Sequence, residues 1–327
     1  MFRSIAARAA LLLFALLLAT ACAASGGAAD AGPSAAAVAA SPSPSPSATA
    51  GFPVTVEAAN GEITLDAPPE AIVSLSPTAT EMLFAIGAGD QTVAVDSFSN
   101  YPPDVPTTDL AASEPNVEAI AGYAPDLVVF ADDPGDLEAS LAELDIPALS
   151  LPAATELDDT YAQIAQLGAV TGNHDGATAL IEQMGEDISE ILAGAPSTGA
   201  SATYYHELDD TYYSVTSATF IGQLYSMLGL RNIADEATGG AGDYPQLSSE
   251  FIIDANPDLV FLADTKCCGQ SADTVAQRPG WDQLDAVTSD AVIELDDDVA
   301  SRWGPRVVDL LDTIAEAVET HVDAGAS

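Results

Sequence analysis

Two stretches of this chain carry one pattern. The first reads Glu118-AIAGYA-Pro125-Asp126-LVVFAD and the second Glu250-FIIDAN-Pro257-Asp258-LVFLAD. In each, a glutamate opens a short apolar helix; proline follows seven residues later, and Pro-Asp ends the helix and starts a buried Leu/Val-rich strand. A repeat of this kind restricts the chain to two similar α/β lobes. Between the copies, residues 173–193 place Ala177, Leu180, Ile181, Met184, Ile188, Ile191 and Leu192 on one stripe, at the three-and-four spacing of an amphipathic helix. Thr171 or Asn173 is placed to cap its start, and Gly194 with Pro196 stops it. Such a helix spans roughly 30 Å, the width of a small domain, and is long enough to join both lobes.

At the amino terminus, Arg3 and Arg8 precede an apolar run over 9–18 and then Ala19-Thr20-Ala21-Cys22. This is a signal peptide, too short to stay as a spanning helix. Its end resembles a bacterial lipoprotein processing site, which implies a lipidated Cys22. Residues 23–51 are almost wholly Ala, Ser, Pro, Gly and Thr; they bury no core and form a tether. The expected organisation is therefore a signal peptide over 1–22, the tether over 23–51, a first lobe over 52–172, the joining helix over 173–193 and a second lobe over 194–327.

The chain has 50 acids against 7 Lys and Arg, a formal net charge of −43. Beyond the leader the basic residues are Arg231, Lys266, Arg278, Arg302 and Arg306. Nucleic acid and anionic lipid headgroups are repelled, so neither is an expected partner. Carboxylates in such excess keep a surface hydrated in strong salt, where self-repulsion is screened, and the composition suits a high-salt habitat.

In the first lobe, VTVEAANGEITL is a hairpin turning at Asn60-Gly61, and 71–75 is a buried strand. The strand runs into Ser76-Pro77-Thr78-Ala79-Thr80-Glu81, where Ser76 or Thr78 caps a helix. Free amides at that helix start point into whatever cleft lies at the sheet edge. The second lobe opens with SATYYHELDDTYYSVT, two alternating strands around Asp209-Asp210 carrying Tyr204, Tyr205, Tyr212 and Tyr213.

The segments SLSPTATEMLFAIGAGDQTVAVDSFSNYPPDV, EPNVEAI with APDLVVF, TYYSVTSATFIGQLYSMLGLRNIAD and SRWGPRVVDLL together resemble the periplasmic-binding family for vitamin B12 and ferric siderophores. The likeness covers nearly all of the chain after Gly51, in the family's order. It implies a class III fold, two α/β lobes joined by one rigid helix, with ligand in a shallow cleft between them. It also implies a monomeric, lipid-anchored receptor on the outer face of the cytoplasmic membrane. Such a receptor serves an ABC importer, a permease dimer with its ATPase subunits, and performs no enzymatic reaction.

Carried onto this chain, Ser76, Pro77, Thr78 and Ala79 match the cleft loop of the first lobe, with Tyr101 in SNYPP nearby. Asp298, Arg302 and Trp303 match the facing segment of the second lobe. Arg302 is suited to clamp a phosphate, carboxylate or catecholate oxygen, or to form a structural ion pair with a neighbouring carboxylate; Arg306 leans to the structural role. Tyr205 among the clustered tyrosines, and Tyr244 in GGAGDYPQ, are placed to cover a planar ligand. Glu118 and Glu250 match the pair that docks on arginine pockets of the permease, with Glu114 a competitor in the first lobe.

The implied cargo is a metal chelate: cobalamin, a ferric siderophore or heme. Vitamin B12 receptors of this kind hold the corrin with several tryptophans, whereas this chain has Trp281 and Trp303 alone and alanines around Ala112 and Ala131. Cys267 and Cys268 are adjacent, closer than a relaxed disulfide requires, which leaves a strained bridge, free thiols or a ligand contact open. His174, His206 and His321 are too few and too scattered for a bare-metal receptor. No Ser-His-Asp or Cys-His signature sits at a plausible turn for a hydrolase. A lipid-anchored ligand sensor of the same fold is the remaining alternative.

Overall fold

A computed structural model describes residues 51–196, 202–237 and 242–322. The signal peptide, Cys22 and the tether up to residue 50 lie outside the described residues. The repeat is realised as two four-stranded parallel sheets of the same topology. The first contains β3 (Ile72–Leu75), β4 (Thr92–Val95), β5 (Leu127–Phe130) and β6 (Ala148–Ser150), in the order β4-β3-β5-β6. The second contains β7 (Thr203–Glu207), β8 (Arg231–Asn232), β9 (Leu259–Leu262) and β10 (Val292–Glu294), in the order β8-β7-β9-β10. β5 and β9, the two Leu/Val-rich strands of the repeat, occupy equivalent central places and are buried along their whole length. Strands covered on both faces have no reason to alternate polar with apolar residues.

The helices are α1 (Pro77–Ala85), α2 (Val117–Ala121), α3 (Leu137–Ala142), α4 (Leu157–Thr171), α5 (His174–Gly194), α6 (Phe220–Met227), α7 (Ser249–Ala255), α8 (Ala272–Ala276), α9 (Asp285–Thr288), α10 (Asp297–Ala300) and α11 (Val307–His321). α2 and α7, the helices of the repeat, directly precede β5 and β9. The repeated aspartates also have a shared duty. Asp126 accepts the amides of Glu70 and Ala71 at 2.9 and 3.0 Å, and Asp258 accepts that of Thr203 at 2.7 Å. Each carboxylate thus satisfies backbone donors where the neighbouring strand begins, which explains the retained Pro-Asp pair.

The joining helix is α5, one residue displaced from the sequence expectation. Its stripe is in place: Ala177, Met184 and Ile188 are buried, and Leu180, Ile181, Ile191 and Leu192 are half-buried against the core. Asn173 stands at the cap position without a capping bond; its amide instead donates to Gln91 and Thr171. α5 is not a bare rod, because α4 and α11 both pack along it. Its first turn meets the end of α1 so closely that a Cβ on Gly176 would lie 2.1 Å from the Ile86 carbonyl oxygen.

Two local expectations are corrected. The hairpin of β1 (Val54–Ala58) and β2 (Gly61–Leu65) pairs Ala58 with Gly61, so it turns over Ala59 and Asn60, not Asn60 and Gly61. The segment after β7 forms no second long strand. Asp209 folds back onto the amide and hydroxyl of Thr211 at 2.8 and 2.6 Å, and Tyr212 takes φ 69°, so the chain turns instead of extending.

Candidate functional site

Because β3, β4 and β5 are parallel, their carboxyl ends share one edge, and the segments leaving them converge there. Leu75 with Ser76–Thr78, Asp96 with Phe98, and Ala131 with Asp132 and Pro134 follow β3, β4 and β5 in turn. Opposite them, the turn after β10 and α10 brings Asp298, Ser301, Arg302 and Trp303. Between the two sets is an open cavity of about 570 Å³. The carboxyl edge of parallel strands is where ligands bind in α/β sheets.

Six residues singled out from the sequence meet on this cavity: Ser76, Pro77, Thr78, Asp298, Arg302 and Trp303. Ser76 is the cap of α1, its hydroxyl accepting the Ala79 amide at 3.2 Å, while Thr80 N–H goes to the Ser76 carbonyl. Pro77 has no N–H, which leaves that of Thr78 alone in the first turn, fewer free donors than the sequence suggested. Trp303 is oriented by its indole N–H to Gln163 at 3.0 Å and by its carbonyl, which accepts from Thr160 at 2.9 Å. Both partners lie on α4, so this wall is tied to the first lobe.

Four other residues are not cavity walls. Ala79 faces the core and is 2% exposed. Tyr101 is exposed, but the Arg306 guanidinium lies over its ring at 4.3 Å, which occupies the face a planar ligand would need. Tyr205 is fully buried, edge-on to Trp281, with its hydroxyl donated to Glu207 at 3.1 Å. Burial with Glu207 alongside holds its phenol well above the ordinary range. Tyr244 is exposed on its loop and does not line the cavity. Conversely, Asp96, Phe98, Ser113 and Asp132 line the cavity unanticipated. The signal was present, since Asp96 and Asp132 each stand just past a buried strand. Phe98 is 68% exposed at the edge, an apolar ring left in water. Ala112 and Ala131 both line the cavity, so their small side chains widen it.

Arg302 is a structural ion pair as built. Its Nη1 donates to Glu81 at 2.7 Å and Asn100 at 3.0 Å, and its Nη2 to the Phe98 carbonyl at 3.0 Å and Asp298 at 2.8 Å. Arg306 donates to the same Glu81 carboxylate at 3.0 and 2.6 Å. Asp298 also accepts from Asn100 at 3.0 Å and Lys266 at 2.9 Å; these bonds, with the nearby guanidinium, outweigh burial and hold its carboxyl below the ordinary range. Desolvation instead raises Asp96, against the opposing bonds from Ser99 and Phe98. The network clasps the two lobes across the cavity's base.

Beside it, Cys267 and Cys268 are both free thiols, their loop held by the Lys266 and Cys267 amides donating to Asp297 at 3.0 and 2.8 Å. Glu118 and Glu250 are exposed, each the second residue of its helix, with Asn116 and Ser248 as the caps. Among the described residues no group of three His, Cys, Asp or Glu is arranged to hold a metal ion, and no helix is long and apolar enough to cross a membrane.

Asp264, the repeat's counterpart of Asp132, is fully buried behind this loop and neither oxygen has a partner. Burial, with Glu207 adding to it, pushes its carboxyl up to about 7. A folded-state value above the unfolded one means the folded chain holds a proton the unfolded chain has released. Stability from this group is therefore full below about pH 4 and lost as pH rises through 7. Asp264→Asn is expected to raise stability at pH 8 by on the order of 2–4 kcal/mol and to change it little at pH 4. Denaturant melts at both pH values and one ionic strength check this; an equal effect at both would contradict it.

This architecture, two repeat-related parallel sheets, a long joining helix and a cavity between their carboxyl edges, is that of a bilobal binding protein. The chain belongs to the periplasmic binding protein family, whose model matches residues 72–299. It is 31% identical over 277 residues to a cobalamin-binding protein of Halobacterium salinarum, covering 81% of this chain and 74% of that one. It is 29% identical over 277 residues to an uncharacterized ABC transporter substrate-binding lipoprotein, YvrC, of Bacillus subtilis, covering 82% and 86%. Among solved structures, the periplasmic vitamin B12 binding protein BtuF of Vibrio cholerae superposes with a TM-score of 0.60 at 25% identity, covering 77% of this chain and 97% of that one.

Proposed function

We propose that this protein is the substrate-binding subunit of an ABC importer, anchored outside the cytoplasmic membrane through lipid on Cys22. It captures a metal chelate, a corrinoid or a ferric siderophore, and hands it to the permease dimer. The observation that carries this reading is the cavity at the carboxyl edges of two matching sheets, walled by Phe98, Pro77, Trp303 and small residues that suit a large, partly apolar face. The names of the relatives, one binding cobalamin and one serving a transporter, support it.

Glu118 and Glu250 are the docking groups in this proposal. A crossover helix runs back antiparallel to the strand it feeds, so the first turns of α2 and α7 lie at the carboxyl edges of their sheets, the edges that hold the cavity. Exposed carboxylates there suit arginine-lined pockets on two permease subunits. The reading is tested by equilibrating the protein separately with cyanocobalamin, a ferric trihydroxamate and hemin, removing free ligand and recording the visible spectrum. Retention of the corrinoid or the trihydroxamate is expected. Retention of none of the three, or of hemin alone, would contradict the proposal.

A further inference from the structure

We infer that this cavity selects chelates by charge, taking neutral or cationic ones and turning away anionic ones. The inference rests on reading the cavity as the ligand site. Every basic residue beyond the leader is already committed to a carboxylate. Arg231 pairs with Glu236 and Lys266 with Asp296 and Asp298; Arg278 pairs with Glu207, and Arg302 and Arg306 with Glu81. The one cation on the cavity wall, among the described residues, is Arg302, whose side chain is 8% exposed and whose two terminal nitrogens serve four acceptors.

For a ligand anion to capture Arg302, Glu81 or Asp298 would have to let go. Glu81 is 1% exposed at its side chain, and losing one of its two guanidinium partners there, with Arg306 alone remaining, would cost stability that a surface ion pair would not. Histidine supplies no substitute, since burial lowers His206 to about 3 and keeps it neutral in the core. Of the three carboxyl groups on the wall, Asp96 is buried and bonded to Ser99 and Asp298 is paired with Arg302 and Lys266, which leaves Asp132, exposed and in no salt bridge among the described residues, as the one that meets a ligand uncompensated. The formal charge of −43 adds a long-range repulsion that dilute salt leaves unscreened. A ligand edge bearing carboxylates or catecholate oxygens would thus meet the Asp132 carboxylate and no free donor cation, whereas amides, neutral hydroxamates or an ammonium group would meet acceptors.

Ligands that share a scaffold and differ by one charge test this. Cyanocobalamin is compared with its side-chain monocarboxylic acid, and neutral N-acetylated ferrioxamine B with the N-succinylated anionic form, by equilibrium titration at low and high salt. For each scaffold that binds, the anionic member is expected to bind about tenfold more weakly at low salt, the size of one added repulsion near an unpaired carboxylate, with the gap closing at molar salt. Asp132→Asn, on an exposed side chain, is expected to narrow the ratio of affinities between the anionic and the uncharged member of each pair; a ratio that stays as wide would remove Asp132 from the selecting role. Anionic members binding as tightly as their partners would overturn the charge inference while leaving the chelate reading standing. Failure of both scaffolds to bind would overturn both.

Discussion

A receptor carrying Glu118→Ala together with Glu250→Ala is expected to hold its ligand with unchanged affinity and to support almost no uptake. The two carboxylates are exposed, neither takes part in a salt bridge among the described residues, and each stands in the first turn of a helix whose cap lies elsewhere, on Asn116 or Ser248. Removing them therefore costs the fold little. At an interface, a charge lost from a desolvated pair costs on the order of 2–5 kcal/mol, so two such losses reduce docking by more than about a hundredfold. Ligand titration of the purified variant and uptake by cells bearing only that receptor separate the two effects. Normal uptake by the double variant would remove these residues from the docking role, and lost ligand affinity would place them in the cavity's support instead.

The second large effect is expected at Glu81. Its carboxylate, on α1 of the first lobe, is almost wholly buried and accepts from both Arg302 and Arg306 of the second. Glu81→Ala would leave two guanidinium groups in a partly buried site with one shared counter-charge gone, a loss of about 3–5 kcal/mol. For a chain of this size each kcal/mol moves the melting temperature by about 2–4 °C, so a fall of about 10 °C is expected. Calorimetry checks this, and a melting temperature within a degree or two of the parent's would show that the clasp does not hold the lobes.

The scaffold was legible because its signals are local. The glutamate, the Pro-Asp break and the Leu/Val strand of each copy lie within a short window, and the stripe of α5 follows from spacing alone. Their spatial consequence, two sheets of one topology, comes from the rule that a strand, crossover helix and strand build parallel pairs. Half of the cavity was legible for the same reason, since Ser76–Thr78 leave a strand at its carboxyl end. What escaped depends on partners far apart in the chain. Arg302 and Glu81 are separated by 221 residues, and nothing in either segment shows that a cation suited to a ligand is consumed by a carboxylate of the other lobe. Tyr205 was misplaced because period-two alternation was assumed for β7, a central strand covered on both faces. Phe98 was missed because a single aromatic in a loop carries no pattern at all.

The placement of ligand between the lobes is tested most directly by hydrogen–deuterium exchange of the protein with and without saturating cyanocobalamin, or with the trihydroxamate if that is the chelate retained. Added protection is expected in the peptides holding Ser76–Thr80, Phe98–Asn100, Ala112–Ser113 and Ser301–Trp303. Protection confined to the acidic groove between α5 and α11, where Asp187, Glu190, Asp312 and Glu316 line a separate cavity, would contradict it.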